Sequence, residues 1–105
     1  MTTLTEQSIE QEIQSKNLNA PRLTPELIDA AIEAEDYHVF PATCLTVCCL
    51  TLRNGFTVTG ESACASPENF DVELGQKIAK KNARDKIWAL EDYLLREKLS
   101  TASTK

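Results

Sequence analysis

Two β-prone stretches, residues 43–52 and 56–62, flank the dipeptide Asn54-Gly55, and this pattern limits the fold more than any other feature of the chain. Both stretches are rich in residues that favour strands, and Asn-Gly between such stretches is typical of a two-residue hairpin turn. That turn fixes three cross-strand pairs: Arg53 with Phe56, Thr51 with Val58, and Cys49 with Gly60.

Both faces of this predicted hairpin carry apolar side chains. One face holds Leu45, Val47, Cys49, Phe56 and Val58, and the other holds Cys48, Leu50 and Leu52 among threonines. We therefore expect the sheet to be covered on both sides. A lone hairpin is marginally stable in water, so a further strand is expected from residues 37–40 or from a second copy of the chain.

Two helices are predicted around the hairpin. Thr24, Pro25 and Glu26 combine a capping hydroxyl, a proline at the first helical position and an early acid, which marks a helix that runs to about Glu35. A long helix is expected over residues 72–99, with one apolar set facing the sheet and a second on another face. The first set is Ala79, Ala83, Ile87, Leu90 and Leu94, and the second is Trp88, Leu95 and Leu99. This helix would be about 42 Å long, which is more than one small sheet can cover, so contact with another subunit is favoured.

The predicted fold class is therefore α+β, with an N-terminal helix, an antiparallel sheet centred on the hairpin, and a long C-terminal helix in a homo-oligomer. Residues 1–20 are expected to form a weakly ordered arm, residues 21–99 a single domain, and residues 100–105 a flexible tail. Ile9 and Ile13 lie at helical spacing within the arm, so a short helix is an alternative there.

Charge and composition exclude several classes of function. The formal net charge is −5, and it divides into −6 over residues 1–42 and +1 over residues 43–105. This balance argues against general nucleic-acid binding and assigns any anion site to the second part, while the acids of the first part are too few for a DNA mimic. No stretch is apolar enough for a membrane span, and the N-terminus does not resemble a signal peptide, so a soluble intracellular protein is expected.

The sequence offers no catalytic or cofactor pattern. The four cysteines, Cys44, Cys48, Cys49 and Cys64, do not have zinc-site spacing, and core thiols in a reducing compartment are the favoured interpretation. His38 is the only histidine, and a hydrolase or nucleotide-loop motif is absent from the sequence. We expect neither an enzyme nor a bound cofactor or metal.

Four basic residues form one stripe along the predicted long helix: Lys77, Lys80, Lys81 and Arg84. A solvated helix face explains such a stripe equally well. The functional interpretation is a phosphate site, with a bidentate contact from Arg84 and point charges from Lys77 and Lys80. The base of such a ligand would stack on Phe70, Phe56 or Trp88.

Other candidate contacts lie near the hairpin and before the long helix. Arg53 forms either a cation-π pair with Phe56 or a phosphate contact across a subunit interface. Asn69 offers hydrogen bonds to a base edge, although residues in that position more often cap the following helix. The segment 60–62 forms either a ligand-shaped strand end or a β-bulge.

Residues 24–99 resemble a family of small tailed-phage proteins named for gene forty-nine of a coliphage and gene sixty-six of a Shigella phage. The most specific matching segments are Leu52-Arg53-Asn54-Gly55-Phe56, Thr59-Gly60-Glu61-Ser62, Asn69-Phe70-Asp71 and Ile87-Trp88. The resemblance implies a phage origin without implying a particular biochemical activity. Accessory phage proteins of this kind often act against host defence, which places the expected activity in the host cytoplasm.

Two functions follow as hypotheses. The first is non-catalytic capture of a cyclic or cyclised nucleotide immune signal, in a pocket formed by the long helix, the hairpin and a partner subunit. The second is inhibition of a host protein, which would dock on Trp88, Leu95 and Leu99 or on the acidic first part of the chain.

Overall fold

The computed structural model describes residues 5–18 and 20–103. Its elements are α1 (Glu6–Ser15), α2 (Pro25–Ala30), β1 (Ile32–Val39), β2 (Thr46–Leu52), β3 (Thr57–Ser62), a short 3-10 helix (Pro67–Asn69) and α3 (Val72–Ser103). The strands form one antiparallel sheet in the order β1-β2-β3. This architecture confirms the predicted α+β class, while association with further copies stays a prediction.

The hairpin lies where the sequence predicts it, but its register differs by one residue. Cys49 pairs with Thr59 and Thr51 with Thr57. The connection is a three-residue loop, because the amide of Leu52 donates to the carbonyl of Phe56 at 2.8 Å and the amide of Gly55 donates to the carbonyl of Leu52 at 2.9 Å. Within this loop only Gly55 has a positive φ, of 90°. A two-residue type I′ turn needs positive φ at two residues, so the predicted turn was wrong.

The shifted register gives the sheet one buried face, which corrects the expected two-sided cover. The buried residues of β2 are Thr46, Cys48, Leu50 and Leu52, and Val58 lies on the same side. The residues that alternate with them on β2 are only half-buried. Since the side-chain period of a strand is two, the one-residue shift moved Val58 to the other face.

Helix α3 packs on the buried face of the sheet at unusually short range. Ala79, Ala83 and Ile87 are fully buried against it, as predicted. A Cβ atom added to Gly60 would lie 2.2 Å from the backbone nitrogen of Ala83, so a glycine in β3 permits this approach. Gly60 is a paired strand residue, and the alternative of a β-bulge there was wrong. Gly60 therefore makes room for the backbone of α3.

The boundary between α2 and β1 also differs from the prediction. Thr24 caps α2, and Pro25 occupies its first turn, as expected. The helix ends at Ala30, however, and the strand begins at Ile32 and extends to Val39. Residues 31–35 favour a helix by their own propensity, but pairing of β1 along β2 overrides that preference.

The two ends of the chain contain more helix than predicted. Helix α1 lies inside the expected arm and begins with a reciprocal cap, in which Thr5 and Ser8 each bond the other's backbone amide. Helix α3 continues to Ser103, four residues beyond the predicted end at Leu99. Residues 1–4, 19 and 104–105 of the predicted arm and tail lie outside the described part, and how firmly the arm is held stays a prediction.

Candidate functional site

Arg84 lies at an internal junction between three helices. Its side chain is only 16% exposed. The guanidinium donates Nη1 to the carboxylate of Glu6, Nε to Oδ1 of Asp29 at 2.7 Å, and Nη2 to the carbonyl of Pro25 at 3.1 Å. The hydrogen bond to Glu6 is the main cause that raises the pKa of Arg84 above its ordinary value. Arg84 therefore joins α3 to α1 and α2.

Trp88 shares the partner of Arg84. Its indole Nε1 donates to Oε2 of Glu6 at 3.0 Å, the same oxygen that Arg84 contacts. The ring is half-buried and packs against the core, so the indole is not free to stack on a nucleobase in this conformation.

The three lysines of the predicted stripe are also paired with acids. Lys80 lies 2.9 Å from Glu35 of β1, and its hydrogen bond is the main cause that lowers the pKa of that carboxyl. Lys77 and Lys81 pair along α3 with Glu73 and Asp85, at 3.9 and 3.1 Å. These last two pairs are solvent-exposed and contribute little to stability. Lys80 and Arg84 therefore connect α3 to other elements of the fold, whereas Lys77 and Lys81 are solvated.

Asn69 and Phe70 lie together beside a small depression before α3. Its volume is about 90 Å³, and its lining also includes Cys44, Ser62 and Cys64. A water molecule takes up about 30 Å³ in the liquid, so this space holds a few waters and not a nucleotide. Asp71, at the rim, accepts a hydrogen bond from the amide of Leu74 at 3.0 Å and so caps α3.

The four cysteines have no disulfide among them. Cys48 is buried in the core, and burial raises the pKa of its thiol, as expected for a core residue. Cys64 interacts with Cys44, and their hydrogen bond is the main cause that raises the pKa of Cys44. The thiol beside Cys64 is therefore that of Cys44.

A groove of about 530 Å³ lies between the hairpin turn and the outer part of α3. Small-molecule sites usually have volumes of roughly 300–1,000 Å³, so the groove is large enough for a nucleotide. The hairpin side contributes Leu52, Arg53, Asn54 and Phe56, the end of α2 contributes Ala31, and α3 contributes Leu90, Glu91, Tyr93, Leu94 and Glu97.

Backbone hydrogen bonds fix the hairpin wall of the groove. The amide of Arg53 donates to the carbonyl of Ala31 at 3.1 Å, which anchors the turn to the end of α2. The side chain of Asn54 accepts from the amide of Phe56 at 3.0 Å. The turn is therefore held in place, while its Arg53 and Phe56 side chains are exposed.

Each wall of the groove carries one aromatic ring and at least one charged group. Phe56 on the hairpin is 55% exposed, and Tyr93 on α3 is 74% exposed. Arg53 has no ion-pair partner within residues 5–18 and 20–103, and neither has Glu91 or Glu97. The groove thus combines two accessible rings, one free cation near the turn and two free carboxylates along the helix.

The structure brings together only some of the predicted site residues. Arg53 and Phe56 share the groove, Asn69 and Phe70 share the small depression, and Arg84 and Trp88 share the carboxylate of Glu6. Lys77 stands apart as an exposed residue. The groove residues of α3 were missed because Leu90 and Leu94 had been assigned to the sheet. Leu90 and Leu94 are 39% and 45% exposed. The predicted length of the helix was the signal in the sequence that α3 extends beyond the sheet.

Within the described ranges, no three side chains among the histidines, cysteines, aspartates and glutamates are grouped as a metal site would require. No described helix is both long enough and apolar enough to cross a membrane.

Comparison with known proteins gives one match. A family model described as the Phage protein (N4 Gp49/phage Sf6 gene 66) family matches residues 23–99. No curated protein and no solved structure matches the chain. The matched range includes the sheet, the groove and Arg84, whereas α1 precedes it.

Proposed function

The chain belongs to the Phage protein (N4 Gp49/phage Sf6 gene 66) family, and we propose that it captures a small anionic nucleotide in the groove between the hairpin and α3. The ligand class is a cyclic or cyclised nucleotide that serves as an immune signal in the infected cell. Capture takes place in the host cytoplasm and leaves the ligand chemically unchanged. The observation that carries the proposal is the groove itself, where a free guanidinium and two exposed rings surround about 530 Å³.

The groove chemistry matches the three parts of a nucleotide. Phe56 and Tyr93 offer faces for base stacking, and each stack is worth on the order of 1–3 kcal/mol. Arg53 offers a planar fork for a phosphate, and its charge-assisted hydrogen bonds contribute about 1.5–3 kcal/mol each. Glu91 and Glu97 suit ribose hydroxyls, since carboxylates accept hydrogen bonds from sugar diols. One stack with two such hydrogen bonds adds up to about 4–9 kcal/mol, which corresponds to dissociation constants between the millimolar and the sub-micromolar range.

The charge pattern also orients the ligand. Phosphates would be repelled by the carboxylates on α3 and attracted by the guanidinium at the turn, so they lie toward the hairpin. Arg84 is not a ligand contact in this proposal, because it does not line the groove. The phosphate contact that the stripe suggested is assigned to Arg53 instead.

A second copy of the chain would close the open side of the groove. Ile87 is the last fully buried residue of α3, and 16 further residues follow it to Ser103. This overhang is about 24 Å long, and isolated helices of that size are marginally stable in water. A homodimer that covers Leu90 and Leu94 would stabilise the overhang. Light scattering after size-exclusion chromatography is expected to give at least twice the chain mass of 11.7 kDa, and a monomer would contradict this part of the proposal.

A thermal-shift screen tests nucleotide capture. The panel contains cyclic dinucleotides, cyclic trinucleotides, cyclised ADP-ribose isomers and their linear counterparts. A ligand at about 100 times its dissociation constant raises the free energy of unfolding by about 2.7 kcal/mol, which shifts the melting temperature by several degrees. The shift is expected to disappear in Arg53→Ala and to persist in Arg96→Ala, whose exposed side chain lies on α3 outside the groove.

Inhibition of a host protein is the second candidate, favoured by the exposed apolar residues Leu90, Tyr93 and Leu94 on the overhang. It differs from nucleotide capture in two measurable ways. One host polypeptide would then copurify with the protein, and no nucleotide would shift the melting temperature. Replacement of Leu94 by aspartate would release that polypeptide, while Arg96→Ala would retain it.

A further inference from the structure

We propose that Arg84 and Trp88 form a second anion site, and that the carboxylate of Glu6 occupies it as an internal ligand which an external phosphate displaces. The occupant belongs to α1, in the part of the chain that precedes the family match. The site residues belong to α3, inside that match. The N-terminal helix is thus a latch on a site that the family-matched domain carries.

Two side-chain donors converge on the carboxylate of Glu6. Nη1 of Arg84 and Nε1 of Trp88 both donate to the single oxygen Oε2 of Glu6. The other donors of the guanidinium have partners closer in sequence, Asp29 and the carbonyl of Pro25. Removal of the Glu6 side chain would free Nη1 of Arg84 and Nε1 of Trp88, while the hydrogen bonds to Asp29 and Pro25 would keep the guanidinium in place. Two donors directed at one point suit one oxygen of a phosphate or carboxylate.

A further cation of α3 is close to this pair in sequence. Lys81 lies one turn before Arg84 on α3, and its ammonium is exposed in a pair with Asp85 at 3.1 Å. A diphosphate would place one oxygen between Arg84 and Trp88 and a second charge near this ammonium. Asp29 already pairs with Arg84 and Asp85 with Lys81, so the diphosphate has to displace Asp85 from Lys81 as well as Glu6 from Arg84.

Ionic contacts hold α1 against the rest of the fold. Besides Glu6, the helix is anchored by Glu10, which accepts two hydrogen bonds from Arg22 at 2.7 and 2.9 Å. Both anchors are carboxylates bound to arginines, whereas Ile9 of the same helix is 44% exposed. An arm held mainly by ionic contacts opens locally at a lower free-energy cost than a packed helix, and salt weakens it further.

Tethering sets the size of the effect. A segment linked by a short chain competes at an effective concentration in the millimolar range. In the wild-type protein an external anion must compete with the tethered carboxylate of Glu6. This competition is absent when Glu6 is replaced. We therefore expect at least a tenfold difference in the concentration of anion needed to fill the site.

Trp88 is the only tryptophan of the chain, so intrinsic fluorescence reports directly on this site. Sodium pyrophosphate is titrated at constant ionic strength into the wild type, Glu6→Ala and the matched control Glu12→Ala. Glu12 lies on the same helix, and among the residues that the structure describes its carboxylate pairs only with the exposed Lys16, at 3.2 Å. Glu6→Ala is expected to reach half-saturation at a concentration at least tenfold lower than the other two proteins.

Hydrogen exchange gives a second readout on the unaltered protein. Saturating pyrophosphate is expected to raise deuterium uptake in residues 5–18 while uptake in β2 and β3 stays constant. Equal half-saturation in all three proteins, fluorescence that does not saturate in Glu6→Ala, or unchanged uptake in residues 5–18 would each overturn the proposal. Trp88 does not line the groove, so failure here leaves nucleotide capture in the groove untouched.

Discussion

Replacement of Gly60 by alanine is expected to force α3 away from the sheet. The added Cβ atom would lie 2.2 Å from the nitrogen of Ala83, 2.3 Å from the carbonyl oxygen of Ala79 and 2.8 Å from the Cα of Ala83. All three are backbone atoms of a helix, so no side-chain rotation relieves the overlap. Ordinary contact begins near 3.4 Å, which means that the helix axis must retreat by about 1 Å.

The expected cost lies at the upper end of the range for overpacked cores, about 3 kcal/mol. Domains of this size unfold with about 5–15 kcal/mol, so the variant keeps its fold but loses a large part of its stability. At about 4–8 °C for each kcal/mol, the melting temperature should fall by about 12–24 °C. Urea unfolding monitored by circular dichroism measures the free energy, and a thermal scan measures the melting temperature.

Gly75→Ala is the matched control, since Gly75 is also a buried glycine at the interface of α3 with the sheet. Its added Cβ atom would meet the side-chain oxygen of Thr46 at 3.0 Å and no backbone atom. Alanine also gains about 0.5–1 kcal/mol over glycine inside a helix, so the change should stay within about 1 kcal/mol of the wild type. A fall of less than 4 °C for Gly60→Ala, or equal losses for both variants, would refute the reasoning.

Three further predictions concern polar groups that hold the fold. Arg84→Ala should lower the free energy of unfolding in urea by at least about 2 kcal/mol, since each of its charged hydrogen bonds contributes about 1.5–3 kcal/mol, and Arg84→Lys should fall between; unchanged stability would contradict the internal role of Arg84. Hydrogen bonds lower the pKa values of Glu35 and Glu10 below their ordinary 4.5. The stabilisation that these two carboxylates give the fold is therefore complete above about pH 4.5, and it is lost as the pH falls through their lower pKa values in the folded state. Urea midpoints measured between pH 7 and 3 should fall less steeply in Glu35→Gln, and an identical pH slope would be the contrary result. The buried hydroxyl of Thr46 has no hydrogen-bond partner among the residues described, so Thr46→Val should raise stability by about 1 kcal/mol, and a loss of that size would show the hydroxyl to be satisfied.

The hairpin illustrates how far local sequence determines this fold. Asn54-Gly55 located the turn, and the strands on either side formed as predicted. Both two-residue and three-residue loops accommodate a glycine at that position, and they differ in whether Asn54 also takes a positive φ. The packing of Leu50 and Val58 on one face of the sheet decides which of the two loops forms. That packing involves α3, which begins more than ten residues after the hairpin. Local turn chemistry therefore found the hairpin but not its register.

The basic stripe illustrates the same limit for function. Helical periodicity placed Lys80 and Arg84 on one face of α3, as the structure has them. Their partners Glu35, Glu6 and Asp29 come from β1, α1 and α2, and only the tertiary fold brings them there. A charge pattern on one element thus identifies a face, while the partners that occupy the face depend on the rest of the chain.

Equilibrium dialysis against the nucleotide panel tests the central claim of capture without catalysis most directly. The protein is placed on one side of the membrane, and chromatography with mass detection measures each nucleotide on both sides. We predict that one cyclic or cyclised nucleotide is enriched on the protein side with its mass unchanged, that Arg53→Ala abolishes the enrichment, and that Arg96→Ala retains it. Equal concentrations of every nucleotide on both sides, or conversion of the enriched nucleotide to a product, would contradict the account.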